Sequence, residues 1–271
     1  MRGKNILCLS WLLLALIILT WSASADRSGT GVSGSPVLNQ TADFLPVSVW
    51  YTGGKVRAPM IENVTPASAA AWKRDLEQIR KLGFNTVRCW IEWAYNEKQE
   101  GQYDFSALKL LTDLAGEVGL KVICQVYIDS APDWVGQKYP DSAFVASNDL
   151  KIHSQAAPGF CFDHHGVQAK ILNFLTEAAR AIKGKPAFYG WDLWSEPHII
   201  NWSEVYHLGN LNYLQFCYCP SSQARFRQWL EKKYQKIEAV NEAWHRTFKS
   251  FSEVEPPRFG TILTYTDYLD W

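Results

Sequence analysis

Apolar and polar positions in this chain switch between two periods, and each switch predicts an element. Phe44 to Tyr51 is an apolar run of strand type. Thr65-Pro66 follows as a helix opening, a capping residue before a first-turn proline. Trp72, Leu76 and Ile79 then recur at helical spacing until Gly83 stops the helix. Phe84 to Trp90 predicts a second strand, Asp104 to Val118 a helix ended by Gly119, and Leu120 to Tyr127 a third strand. A long excursion, Asp129 to Gly166, leads into a helix from about Val167 to Ile182 and a fourth strand from Phe188 to Trp194. Helices over Ser222 to Tyr234 and Ile237 to Trp244 close the pattern, and Thr264 to Trp271 resembles the start of another.

Strands that alternate with helices make a parallel sheet, so the class is α/β. No glycine-rich phosphate loop follows the first strand, which removes the main support for a nucleotide-binding open sheet. The long connections all follow strands, where a (β/α)8 TIM barrel carries its active-site loops. Four to five β/α units are visible, so residues 44–271 are expected to be the N-terminal part of such a barrel.

The first residues fall outside that pattern. Arg2 and Lys4 precede an apolar run from Ile6 to Thr20, and Ala23-Ser24-Ala25 supplies a small-residue cleavage site before Asp26. The expectation is a signal peptide over 1–25, a flexible Ser/Gly/Thr-rich leader over 26–43, and an exported protein that does not remain in the membrane. The rival reading, an uncleaved anchor, meets a run shorter than the roughly 20 residues of a span. Lys plus Arg and Asp plus Glu are 27 each, so no basic surface argues for nucleic acid. Thirteen tryptophans in such a chain suit an aromatic cleft for carbohydrate. Nothing in the sequence decides between a monomer and a homo-oligomer.

The strongest chemical signal is Gly190 to His198 (GWDLWSEPH), where an aromatic strand ends in Glu196 directly before a proline. Proline cannot donate to a ladder, so Glu196 belongs at the C-terminal mouth of the strand, flanked by Trp194 and Ser195. An apolar setting would let it keep its proton as a general acid; the plainer reading is a surface or capping glutamate. In the second strand Thr86, Arg88 and Trp90 share one face. An inward arginine needs a carboxylate, either as positioner of a catalytic one or in a structural salt bridge. Glu92 and Asp129 follow strands two and three and could bind sugar hydroxyls. Asp192 lies inside the fourth strand, where a buried structural role is expected. Glycoside hydrolysis uses two carboxyl groups, and Glu196 alone has that context.

Cys89 and Cys124 lie inside strands as small core residues. Cys161, Cys217 and Cys219 leave three readings open: a zinc site completed by His164, His165 or His207, a disulfide, or free thiols.

Three stretches carry a family resemblance: Leu82 to Arg88 with Gln99 to Phe105, Tyr189 to Pro197, and Cys217 to Tyr234 with Ile237 to Trp244. In these the chain resembles the N-terminal half of the catalytic barrel of family 42 glycoside hydrolases. The resemblance implies cleavage of terminal β-galactosides with retention and no cofactor in the chemistry. It makes Glu196 the acid/base, Arg88 the arginine that contacts the nucleophile, and Cys161, Cys217 and Cys219 three of four structural zinc ligands. Ser195 stands where the family has Asn, and Ser222 where it has the fourth cysteine. The nucleophile is expected beyond Trp271. The alternatives are a carbohydrate-binding barrel without turnover, a related cellulase- or mannanase-type β-glycanase, and an exported metal-binding module.

Overall fold

Parallel strands need covering on both faces, and the helices supply one cover. A computed structural model of the chain describes residues 44–53, 61–193, 215–258 and 266–271. Four strands pair side by side in sequence order, all parallel: β1 (Ser48–Trp50), β2 (Thr86–Glu92), β3 (Lys121–Tyr127) and β4 (Phe188–Asp192). Between them run α1 (Ser68–Lys81), α2 (Trp93–Asn96), α3 (Ser106–Glu117), α4 (Asp133–Lys138) and α5 (His165–Ile182). After β4 come α6 (Pro220–Tyr234), α7 (Ile237–Trp244) and α8 (Thr266–Asp270). Pro46–Trp271 forms one unit.

The two-residue period sorts the strands cleanly. Val87, Cys89 and Ile91 of β2, and Val122, Cys124 and Val126 of β3, are buried in the main core. They meet Trp72 and Leu76 of α1, Leu108 and Leu111 of α3, and the stripe Val167, Ile171, Phe174, Ala178 and Ile182 of α5. Each fully buried Leu or Phe of this kind contributes about 1.5–3 kcal/mol of transfer free energy. Cys89 and Cys124 are therefore core residues, as their place in the strands suggested. The stops at Gly83 and Gly119 have φ of 97° and 75°, a region that only glycine enters without strain.

Several boundaries differ from the sequence expectation: β2 runs Thr86–Glu92 rather than Phe84 to Trp90, β4 ends at Asp192, and β1 differs most. β1 covers Ser48–Trp50 rather than Phe44 to Tyr51. Pro46 has no N–H to give and Leu45 is exposed, so pairing begins where Val47 and Asn85 exchange hydrogen bonds. The excursion after β3 is also not plain loop: it holds α4 and a 3-10 turn at Pro140–Ser142. Short bridges fold the excursion on itself (Ala143 with Phe160, Val145 with Lys151), and one, Ala146 with Phe216, ties it to the segment before α6.

Candidate active site and metal centre

On the other face of the sheet the side chains are polar and aromatic. Trp50 of β1, Arg88, Trp90 and Glu92 of β2, Gln125 and Tyr127 of β3, and Asp192 of β4 line it. Arg88 is the hub. Its Nη2 donates to Gln125 Oε1 at 2.9 Å and to Asp192 Oδ2, and its guanidinium lies over the Trp50 ring, 3.9 Å from the centroid. The inward arginine thus meets a carboxylate, that of Asp192, which the sequence placed in the strand as a structural acid. Asp192 is about a quarter exposed rather than buried.

Trp90 packs edge-on to Trp50 at 4.4 Å and parallel to Tyr127 at 6.3 Å, so the three rings make an aromatic wall. Buried Trp90 Nε1 and Glu92 Oε2 have no hydrogen-bond partner among the described residues. Unpaired buried polar atoms are costly, and this face holds two of them. Glu92 closes β2 rather than lying in a solvated loop, and only 8% of it is exposed. Burial raises its pKa, opposed by a hydrogen bond from Ser130. The Tyr127 hydroxyl is pushed up to about 12 by burial and by the nearby Asp129 and Glu92. Asp129 lies two residues past the end of β3, half-buried. Trp194, Ser195 and Glu196 lie outside the described residues, as does His207; the described chain leads to them through Leu193, which is exposed.

Gln125 and Trp50 are site residues that the sequence reasoning missed. Alternation from Trp90 across the neighbouring strand would have found Gln125, since the two are partners in register.

The three cysteines converge elsewhere. The Sγ atoms of Cys161, Cys217 and Cys219 lie within 4.8 Å of one another, all buried, and none of the three is in a disulfide. Each sulfur accepts one backbone N–H: Cys161 from Asp163 at 3.3 Å, Cys217 from Val145 at 3.3 Å, and Cys219 from Ser222 at 3.4 Å. Cys219 caps α6 through that contact, with Pro220 in the first turn. The thiols share their protons. Hydrogen bonds from Cys161 and Cys217 hold Cys219 well below the usual thiol value, while the same sharing pushes Cys217 far up. A tetrahedral zinc with Zn–S near 2.3 Å needs sulfurs about 3.8 Å apart, so the donor set and spacing fit that ion. His164 does not join the cluster: its Nδ1 accepts from Val167 N and its Nε2 faces Asp141 at 3.3 Å.

A parallel sheet with helices against one face and a polar, aromatic face on the other fits part of a (β/α)8 barrel. The family model described as beta-galactosidase matches residues 63–271. The chain belongs to glycoside hydrolase family 42, and its fold is the first part of that family's (β/α)8 barrel. It is 29% identical over 209 residues to the β-galactosidase BbgII of Bifidobacterium bifidum, a match that covers 74% of this chain and 28% of the relative. With the β-galactosidase of Thermus thermophilus it is 30% identical over 193 residues, covering 69% and 28%. Among solved structures it resembles Gan42B, a family 42 β-galactosidase from G. stearothermophilus, with a TM-score of 0.60 and 26% identity over 73% of this chain and 28% of that one. The chain thus spans less than a third of these relatives' length.

Proposed function

We propose that this chain carries the acid/base half of an exported retaining glycosidase that removes terminal β-galactosyl units. The observation that carries the reading is the face built from Trp50, Arg88, Trp90, Glu92, Gln125 and Tyr127, in a chain of family 42. Its rings suit the apolar face of a pyranose, and the partly exposed Arg88 and Asp192 suit sugar hydroxyls. Glu196 is the acid/base. It gives its proton to the glycosidic oxygen while a second carboxylate, supplied by a later barrel strand, attacks the anomeric carbon and expels the aglycone. Glu196, now ionised, takes a proton from water as that water attacks the glycosyl-enzyme, and the carboxylate nucleophile is released. Arg88 positions carboxylates at this mouth, with Asp192 and Gln125 fixing its guanidinium. Ser195, Trp194 and Asp129 complete the substrate contacts. Residues 1–25 direct export and are removed before Asp26.

Cys161, Cys217 and Cys219 hold a zinc ion whose chemistry is structural, cross-linking the excursion after β3 to the start of α6. The sugar chemistry needs no cofactor.

The test is made on the catalytically complete protein. Glu196→Gln should abolish turnover of β-galactosides with poor leaving groups, while activated ones still give a burst of aglycone as the glycosyl-enzyme forms and is then hydrolysed slowly. NMR of the first-formed sugar should show the β-anomer. Full wild-type rate in the variant, or an α-anomer first, would overturn the assignment.

A further inference from the structure

A closed zinc site takes four ligands, and three cysteines leave one corner to fill. The inference concerns that corner and rests on the zinc reading above. Ser222 stands there. Its Oγ lies 3.0 Å from Cys161 Sγ and 3.1 Å from Asp163 Oδ2, and the residue is buried. Its own amide already donates to Cys219 Sγ, so both ends of Ser222 turn to the cluster. Asp163 is bound in from two sides. Its amide donates to Cys161 Sγ, and its Oδ1 sits 3.3 Å from Arg225 Nε. Its carboxylate does not itself belong to the close group of ligand atoms, which holds the three sulfurs alone.

We propose that Ser222 Oγ is the fourth zinc ligand, with Asp163 as the positioning residue that accepts its hydrogen. A neutral hydroxyl is a weak donor to zinc. A carboxylate that takes its hydrogen in a hydrogen bond makes the oxygen more basic, as a carboxylate does for a zinc-bound imidazole. Arg225 fixes the carboxylate so that Oδ2 remains turned to Ser222. The site then carries one negative charge less than four thiolates would give it. It also lines a cavity of about 440 Å³ shared with Phe162, Arg225 and Phe226, which gives the ion a way in. Such a site binds zinc more weakly, and exchanges it more readily, than one closed by a fourth thiolate.

The full chain, reduced and metal-free, is titrated anaerobically with Co2+, and its Zn2+ affinity is measured against a chromophoric chelator. Wild type is compared with Ser222→Ala, Ser222→Cys and Asp163→Asn. Thiolate-to-cobalt charge-transfer absorption should report three sulfurs in wild type, Ser222→Ala and Asp163→Asn, and four in Ser222→Cys. Asp163→Asn and Ser222→Ala should each lose about 10–100-fold in affinity, whereas Ser222→Cys gains. Unchanged affinity in both weakened variants, with Ser222→Cys still binding, would overturn the hydroxyl ligand and leave the zinc reading standing. A lower melting temperature of the metal-free variants without loss of affinity would do the same. If neither wild type nor Ser222→Cys retains metal, the zinc reading itself falls.

Discussion

The two faces of strands β2 and β3 are built from interleaved residues, yet they do different things. Val87, Cys89, Ile91, Val122, Cys124 and Val126 face the helices and are almost wholly shut from water. Arg88, Trp90, Glu92, Gln125 and Tyr127 alternate with them and keep a guanidinium, a carboxyl, an amide and two polar-tipped rings at the barrel mouth. The helix side gains its free energy from area removed from water. The other side keeps polar groups short of partners, at a cost to stability that the helix side offsets. Substitutions on the two faces should therefore separate stability from turnover.

The largest effect is expected on the helix side. Phe174→Ala, deep in α5 against Trp93 and Phe105, should cost about 3–5 kcal/mol of unfolding free energy, read by denaturant melts. Its folded fraction should keep normal turnover. Arg88→Met should behave in the opposite way. Asp192 loses its partner on a surface that still meets water and buried Gln125 loses one hydrogen bond, so stability should fall by only about 1–2 kcal/mol. Turnover in the catalytically complete protein should drop roughly 30–100-fold, about 2–3 kcal/mol of transition-state stabilisation. Equal losses in both measurements for either variant would erase the distinction between the faces.

The smallest effect sharpens the comparison through pH. Burial raises the Glu92 pKa above the ordinary carboxyl value of 4.5, so the folded state holds this proton more tightly than the unfolded chain. The sign follows from linkage. Stability from Glu92 is fully present below about pH 4.5 and is lost as pH rises through the higher folded value. Glu92→Gln should then stabilise the protein at neutral pH by on the order of 1 kcal/mol, and the gain should vanish in acid. A gain that persists below the ordinary carboxyl value would mean the effect is packing and not charge.

Much of the sheet was readable in the chain because period two survives in β2 and β3 and Gly83 and Gly119 punctuate the helices. The class and the split of Arg88 and Trp90 from Cys89 follow from that alternation alone. What could not be read is pairing at a distance. Arg88 and Asp192 are 104 residues apart, and only strand register brings Gln125 between them. The same holds for the cysteines. Their spacing left zinc, disulfide and free thiol open. The amides of Val145, Asp163 and Ser222 that orient the sulfurs come from backbone placement, which has no side-chain signature. β1 was overdrawn because an apolar run does not say which of its residues finds a partner.

The strands of this sheet lie in the order in which they are made, β1-β2-β3-β4, with every pairing between consecutive strands. A ribosome delivering this chain from its N-terminus never has to hold one strand in reserve for a distant mate. Each new β/α unit can settle on the edge left by the one before, so pairing joins successive units and not distant ones. In a complete barrel the slow step then falls at the seam, where β1 must meet the last strand made. The three residues of β1 make that seam short, and a protein of this build is most exposed to aggregation just before it shuts.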